Sequence, residues 1–307
     1  MKLHSVYASA VASGDFLGSA VCLGNFDGVH LGHQALIEHA RAIARPTAMS
    51  FDPHPGKVLS PQLVPKLIAT QSRKVELLEA HGVDAVLLLP FTLPFAATPP
   101  AQFEAMLFDE LKVKGAVVGY DFTYGSRRAG TVASLKSAAE KRAAVLHVVP
   151  PVTVDGVVVS SSRIREYILE GRVDAAQALL GRPFDLDGVV VKGQGRGRTI
   201  GFPTANIETV NELKPAPGVY AVQARLEGET AFRGGAANIG VKPTFGGGEV
   251  TIEAHLFEGL DLYGKRLRVR FLERLRGEQR FGTAAELAAQ IARDVETAKA
   301  IVARGTR

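Results

Sequence analysis

Several things are scarce or missing in this chain, and each absence excludes something. Among 307 residues there is one cysteine, Cys22. No internal disulfide can form, and a lone thiol inside an apolar run reads as a buried, inert side chain. No stretch approaches the ~20 unbroken apolar residues of a membrane span. The early segment "VYASAVASG" contains serines, lacks leucine and leads straight into a first strand, so it reads as folded chain and not as a signal peptide. The expectation is a cytoplasmic protein that makes no membrane contact. There is no basic tail, no repeat and no low-complexity segment. The net charge is +5, but the basic residues are spread out. Such a balance suits small polyanions as well as nucleic acid, and nucleic acid is the second reading.

What is present is an ordinary globular composition, 46% apolar and 22% charged, at a length that suits two domains of ~100–200 residues. The first half alternates strands with helices. Ala20–Leu23 is an apolar run, and Leu36, Ala40 and Ile43 follow at helical spacing. "TAMSF", "DAVLLL", "GAVVG" and "AVLHVV" are further short buried strands. Thr70 is placed to cap a helix through "QSRKVELLEAH", with Gly82 ending it. This pattern predicts a parallel α/β sheet with ligands beyond the carboxyl ends of the strands. From Gly188 the signals become strand and turn with no helix between them, which predicts an antiparallel barrel or sandwich. A terminal helix follows, with Thr283 and Glu286 as a capping box. The change of pattern near "LLGRPFDLDG" divides the chain into 1–183 and 184–307.

The string "GNFDGVHLGHQ" sets His30 and His33 three residues apart after an apolar strand. At a helix start they share the first turn with unpaired N–H groups, where imidazoles can donate to phosphate oxygens. Gly32 leaves room for a base or ribose, and Gly24 and Gly28 loosen the loop. This suits nucleotidyl transfer. A metal site is the alternative, with His54 as the nearest third ligand, and a pair of surface histidines is another. Asp52 and His54 in "SFDPHP" fall at the sheet's ligand edge. Asp121, Arg127 and Arg128 follow another strand, and Ser160, Ser161, Ser162 and Arg163 precede a helix, a set that suits a triphosphate.

In that order, "GNFDGVHLGH", "FDPHP", "VVGYDFTYGSRRAG" and "SSSRIR" resemble the bacterial bifunctional riboflavin kinase/FMN adenylyltransferase family, also called FAD synthetase. The resemblance implies a Rossmann-like nucleotidyltransferase domain. It places ATP on His30 and His33 and along Gly24, Asn25, Phe26, Asp27, Gly32, Ser161, Ser162 and Arg163, and FMN near Asp52, His54, Asp121 and Arg128. The family usually has Thr where Ser162 stands, and commonly Asp where Thr131 stands.

The second constellation is "VKGQGRGRTIGFPTANI". It is neither a Walker A loop nor a G-x-G-x-x-G fingerprint, but a Gly/Arg loop can wrap phosphate through backbone N–H groups. Thr204 and Asn206 offer hard oxygen ligands that suit Mg²⁺ held jointly with ATP phosphates. Glu253, in "TIEAHL", alternates to the side opposite Ile252, Ala254 and Leu256 and is the candidate general base, with Asp261 as its competitor. "GRTIGFPTAN", "GVYAV", "AANIGVKPTF", "IEAHL", "LYG" and "LRGEQRF" resemble the family's riboflavin kinase module. That implies a six-stranded β-barrel with a helix. ATP phosphates then lie along Lys192, Gly193, Gly195, Arg198, Gly201 and Pro203, Mg²⁺ at Thr204 and Asn206, and flavin near Arg276 and Phe281.

The expected enzyme uses ATP and Mg²⁺ to convert riboflavin to FMN and FMN to FAD, with small-molecule partners and neither nucleic acid nor membrane. The sequence is silent on oligomeric state. A tRNA-ligand reading would require basic residues grouped on one face, and a non-catalytic flavin-binding regulator would require one degraded site.

Overall fold

In the computed structural model the chain is described over residues 1–192, 201–244, 247–259 and 262–305. Two compact units result: Met1–Lys66 with Thr70–Ser160, and Leu67–Ala69 with Ser161–Arg307.

The first unit is built on β1 (Lys2–His4), β2 (Ala20–Leu23), β3 (Pro46–Asp52), β4 (Ala85–Pro90) and β5 (Gly115–Gly119). After a short ladder, β6 (Thr123–Tyr124) with β7 (Gly130–Thr131), comes β8 (Val145–Val149). The six strands of the main sheet are parallel, in the order β1-β4-β3-β2-β5-β8. Successive side chains of a strand face opposite ways. Val21 and Leu23 therefore join Met49, Leu87 and Val118 in one core, while Ala20 and Cys22 join Ile37, Leu78 and Val86 in the other. Both faces are covered by helices, which explains why these strands read as unbroken apolar runs. The chain winds one way from β2 through β3 and β4, and the other way through β5 and β8. The crevice of such a sheet opens at that reversal, beyond the end of β2.

One expectation changes. The first strand is Lys2–His4, and "VYASAVASG" contributes the helix Tyr7–Ser13 ahead of β2. Three edge residues carrying a lysine and a histidine give no periodic signal. They pair with β4, and Asp15 accepts from Lys2 Nζ at 2.6 Å and bonds His4 Nε2 at 2.9 Å. The Lys2 hydrogen bond leads the causes that bring the Asp15 carboxyl down to about 2.

A small hairpin, β9 (Thr153–Val154) with β10 (Val157–Val158), closes the first unit. The second unit starts with two helices, Ser161–Leu169 and Val173–Leu180. Its strands are β11 (Phe184–Val191), β12 (Ala205–Glu208), β13 (Gly218–Leu226), β14 (Arg233–Thr244), β15 (Gly247–Leu256) and β16 (Arg266–Arg276). They form a closed antiparallel barrel, β11-β12-β15-β14-β13-β16, with β16 bonded back to β11. Phe184, Tyr220 and Phe271 are fully buried. The terminal helix Ala284–Gly305 packs Ala298 and Ile301 against Ala221 and Ala236. Its cap differs slightly from the expected box. Thr283 Oγ1 accepts from Glu286 N–H at 3.2 Å, but Glu286 Oε2 accepts from Gly282 N–H at 2.9 Å.

Candidate active sites

In the first unit, residues 24–30 leave β2 and enter the helix Leu31–Ile43. Phe26, Gly28 and Val29 all have positive φ, at 51°, 82° and 41°. Such turns are costly for non-glycine residues, and here burial holds them: Phe26 and Val29 are fully enclosed and Asp27 is 5% exposed. His30 is the N-cap. Its Nδ1 accepts from His33 N–H at 3.3 Å, which leaves the ring proton on Nε2. The two imidazoles stack with centroids 3.6 Å apart and planes at 16°, and Phe26 lies 5.1 Å from the His33 ring. Burial, then the nearby His30 and Lys74, hold His33 well below the usual imidazole range. His33 is therefore neutral at physiological pH, and its buried Nδ1 has no hydrogen-bond partner among the described residues. A Cβ on Gly32 would lie 3.1 Å from His30 Cε1 and 3.9 Å from the Val159 carbonyl, so a side chain there would press on the His30 ring.

Asp52 ends β3 in exposed position. His54 caps the short helix Pro55–Leu59, its Nδ1 accepting from Gly56 N–H at 3.1 Å. Among the described residues no group of three or more His, Cys, Asp or Glu is placed to hold a metal ion. Asp121 is exposed beyond β5. Arg127 and Arg128 both have positive φ, 53° and 57°, and Arg128 Nε donates to Thr123 Oγ1 at 2.8 Å. Thr131 is the N-cap of the helix Val132–Glu140, in a reciprocal box with Ser134. The Asp that the family favours at this position would cap equally well. Ser161, Ser162 and Arg163 open the first helix of the second unit. Arg163 Nη1 donates to Glu166 Oε2 at 2.6 Å.

Sequence reasoning passed over Lys74. It is buried at 8% exposure, and its Nζ donates to the Asn25 carbonyl and to Ser50 Oγ, both at 3.2 Å. A lysine at helical spacing reads as a solvated charge, and only the packing shows otherwise.

In the second unit, strand register assembles the other site. Asn206 on β12 and Asn238 on β14 both pair with Glu253 on β15. In the next row, Ala205, Ala237 and Ala254 are buried together. Glu253 thus faces away from the barrel core, as the alternation predicts, with an amide on either side. Asn238 was not singled out from the sequence, because its neighbour across the sheet depends on register. His255 Nδ1 donates to the Pro203 carbonyl at 2.9 Å and anchors the turn ahead of Thr204, which is exposed. Gly201 has φ +85° with open space around it, and Lys192 is exposed at the end of β11. Gly193, Gly195, Arg198 and Asp261 lie outside the described residues.

Arg276, expected on the flavin side, has its guanidinium bonded within the protein. Nε and Nη2 bond Asp294 on the terminal helix at 3.0 and 2.8 Å, and Nη1 donates to the Gly277 carbonyl. Its guanidinium carbon lies 5.7 Å from the Phe281 ring centre.

Comparison with known proteins matches the two halves of the chain to two different family models. Residues 14–163 match a family model described as FAD synthetase, and residues 180–302 match one described as riboflavin kinase. The chain is 38% identical to the bifunctional riboflavin kinase/FMN adenylyltransferase of Bacillus subtilis (strain 168), covering 91% of each chain. It is 37% identical to that of Escherichia coli (strain K12), covering 92% of each. A crystal structure described as a macrolide-efflux protein from Streptococcus pneumoniae matches with TM-score 0.85 at 33% identity, over 92% of this chain and 94% of that one. No helix among the described residues is long and apolar enough to cross a membrane. The chain belongs to the bifunctional riboflavin kinase/FMN adenylyltransferase family.

Proposed function

We propose that this chain phosphorylates riboflavin to FMN and adenylylates FMN to FAD, the kinase in residues 184–307 and the adenylyltransferase in residues 1–183. The observation that carries the reading is the coexistence of two separate constellations. One is a stacked histidine pair at a helix N-terminus, and the other is a carboxylate flanked by two asparagines on a barrel strand.

In the kinase reaction Glu253 takes the proton of the ribityl 5′-hydroxyl, whose oxygen attacks the γ-phosphorus of ATP as ADP leaves. Thr204 and Asn206 are neutral oxygen donors. This hard donor set fits Mg²⁺ shared with ATP phosphates, and the ion would neutralise phosphate charge there. Gly201 and Pro203, with Lys192, Gly193, Gly195 and Arg198, are assigned to the phosphate loop. Phe281 walls the flavin, and Arg276 positions it.

In the adenylyl transfer an FMN phosphate oxygen attacks the α-phosphorus of ATP and pyrophosphate leaves. His30 Nε2–H and His33 steady the phosphate charge, and no covalent enzyme intermediate is required. Gly24, Asn25, Phe26, Asp27 and Gly32 line the nucleotide. Asp52, His54, Asp121 and Arg128 are assigned to FMN. Ser161, Ser162 and Arg163 are assigned to ATP, supported by the match to FAD synthetase that ends at residue 163. The enzyme acts in the cytoplasm on small molecules, without nucleic acid. Riboflavin incubated with the enzyme, ATP and Mg²⁺ is expected to yield FMN and then FAD on a chromatogram; unchanged riboflavin overturns the reading.

A further inference from the structure

Lys74 occupies an unfavourable place for a cation. It lies four residues into the helix Gln71–Ala80, counting from Gln71, toward the end where the helix dipole repels positive charge. Leu77 and Leu78, one turn on, are buried on the same face. Burial pushes its pKa down to about 8, against the opposing pull of Asp27 and Asp52. Bracing the loop does not explain the charge. Ser50 Oγ, a neutral donor, already bonds the same Asn25 carbonyl at 3.1 Å. An ammonium has three protons to donate. Two go to Asn25 and Ser50, and among the described residues the third has no hydrogen-bond acceptor.

The groups around it come from three elements. Asn25 and Asp27 belong to the loop after β2, Ser50 and Asp52 to β3, and His33 to the next helix. All three converge on the end of the sheet where the histidine pair sits.

We propose that Lys74 is a positioning residue of the adenylyl-transfer site, bracing the loop that carries His30 through the Asn25 carbonyl and supplying a fixed positive charge beside His33 for the ATP phosphates. This rests on reading the first unit as the adenylyltransferase. The division of labour is chemical. Neutral His33 contributes hydrogen bonding without a second buried cation, and Lys74 contributes the charge. Asp27 and Asp52 keep the lysine protonated until the triphosphate arrives. As pH rises through about 8 the free enzyme loses this charge, so ATP binding in this unit weakens on the alkaline side.

The test uses the full-length enzyme and the variants Lys74→Met and Lys74→Gln. FAD formation from FMN and FMN formation from riboflavin are measured on the same preparations from pH 6 to 9.5 (an experimental range of about three units around the shifted lysine). In the parent, KM for ATP in FAD formation is expected to rise above pH ~8 with no parallel rise in the kinase reaction. In both variants it is expected to be raised roughly 10- to 100-fold at neutral pH, the size of one charged hydrogen bond, with the alkaline rise gone. FMN formation stays at the parent level. The melting temperature of Lys74→Met at pH 7 is expected to hold or increase, because below pH 8 the folded chain bears the burden of a buried cation. Parental KM and pH profile in a folded variant overturn the proposal. A flat KM for ATP in the parent also overturns it, and needs no variant. A parent that makes no FAD from FMN defeats the functional reading itself, a separate outcome.

Discussion

Glu253 stands half-buried between two amides, and its value to the kinase can be separated from its value to the fold. Glu253→Gln keeps the shape and removes the base. FMN formation is expected to fall by ~10²–10⁴, while FAD formation from supplied FMN continues, because a phosphate nucleophile is already ionised. Chromatography of both half-reactions on one preparation checks this, and equal loss of both would indicate misfolding. Gly32 offers the mirror experiment. The Cβ of Gly32→Ala comes within 3.1 Å of the His30 ring, so the imidazole must give by a few tenths of an ångström within its cap and stack. FAD formation is expected to drop by ~10²–10³, the cost of one misplaced donor, with FMN formation intact. The sequence singled out His30 and His33 as candidates through their spacing after a strand, and Asn206 and Glu253 through their motifs and the resemblance those carry. It did not single out Asn238 or Lys74. Asn238 acquires its neighbour through strand register, and Lys74 is indistinguishable from any helix lysine until the helix is packed.

At the scale of elements, the terminal helix is tied to the barrel by the Arg276–Asp294 pair, whose side chains are 16% and 8% exposed. Gln290 Nε2 adds a bond to the same carboxylate at 2.8 Å. Asp294→Ala strands a guanidinium that is largely out of water, which costs about 3–5 kcal/mol. The melting temperature is expected to fall accordingly. FMN formation is expected to lose efficiency through KM for riboflavin, because the Arg276 guanidinium also lies 5.7 Å from the ring of Phe281, the residue assigned to the flavin wall. If stability and KM are both unchanged, the pair is not a clamp. The resemblance to the riboflavin kinase module implied a place for Arg276 on the flavin side. Its actual partner lies 18 residues later on another element, a separation no local pattern encodes. Long apolar strands and the Thr70 cap were legible for the opposite reason: their signals are complete within a few residues. β1 was missed because an edge strand of three residues is defined by its pairing with β4 and carries no pattern of its own.

For the whole molecule, the two ways of dividing the chain make a measurable difference. The change from helix-rich to strand-rich sequence falls near residue 183, whereas compactness divides the chain at Ser160/Ser161. Leu179 and Leu180 are buried, and a Cβ at Gly171 would meet Tyr220 Oη at 2.8 Å. The two helices before the barrel are thus part of its packing. A fragment of residues 161–307 is expected to melt several degrees above one of residues 184–307, with both forming FMN; equal melting curves would show that the helices add nothing to the barrel. Ring closure of that barrel has a further consequence on the ribosome. β11 gains its second neighbour only when β16 is made, so the kinase fold stays open until Arg266–Arg276 has emerged. The first unit is complete in sequence by Ser160, and domains made first fold first, at ~5–20 residues per second. During synthesis the unit that consumes FMN takes shape seconds before the unit that produces it.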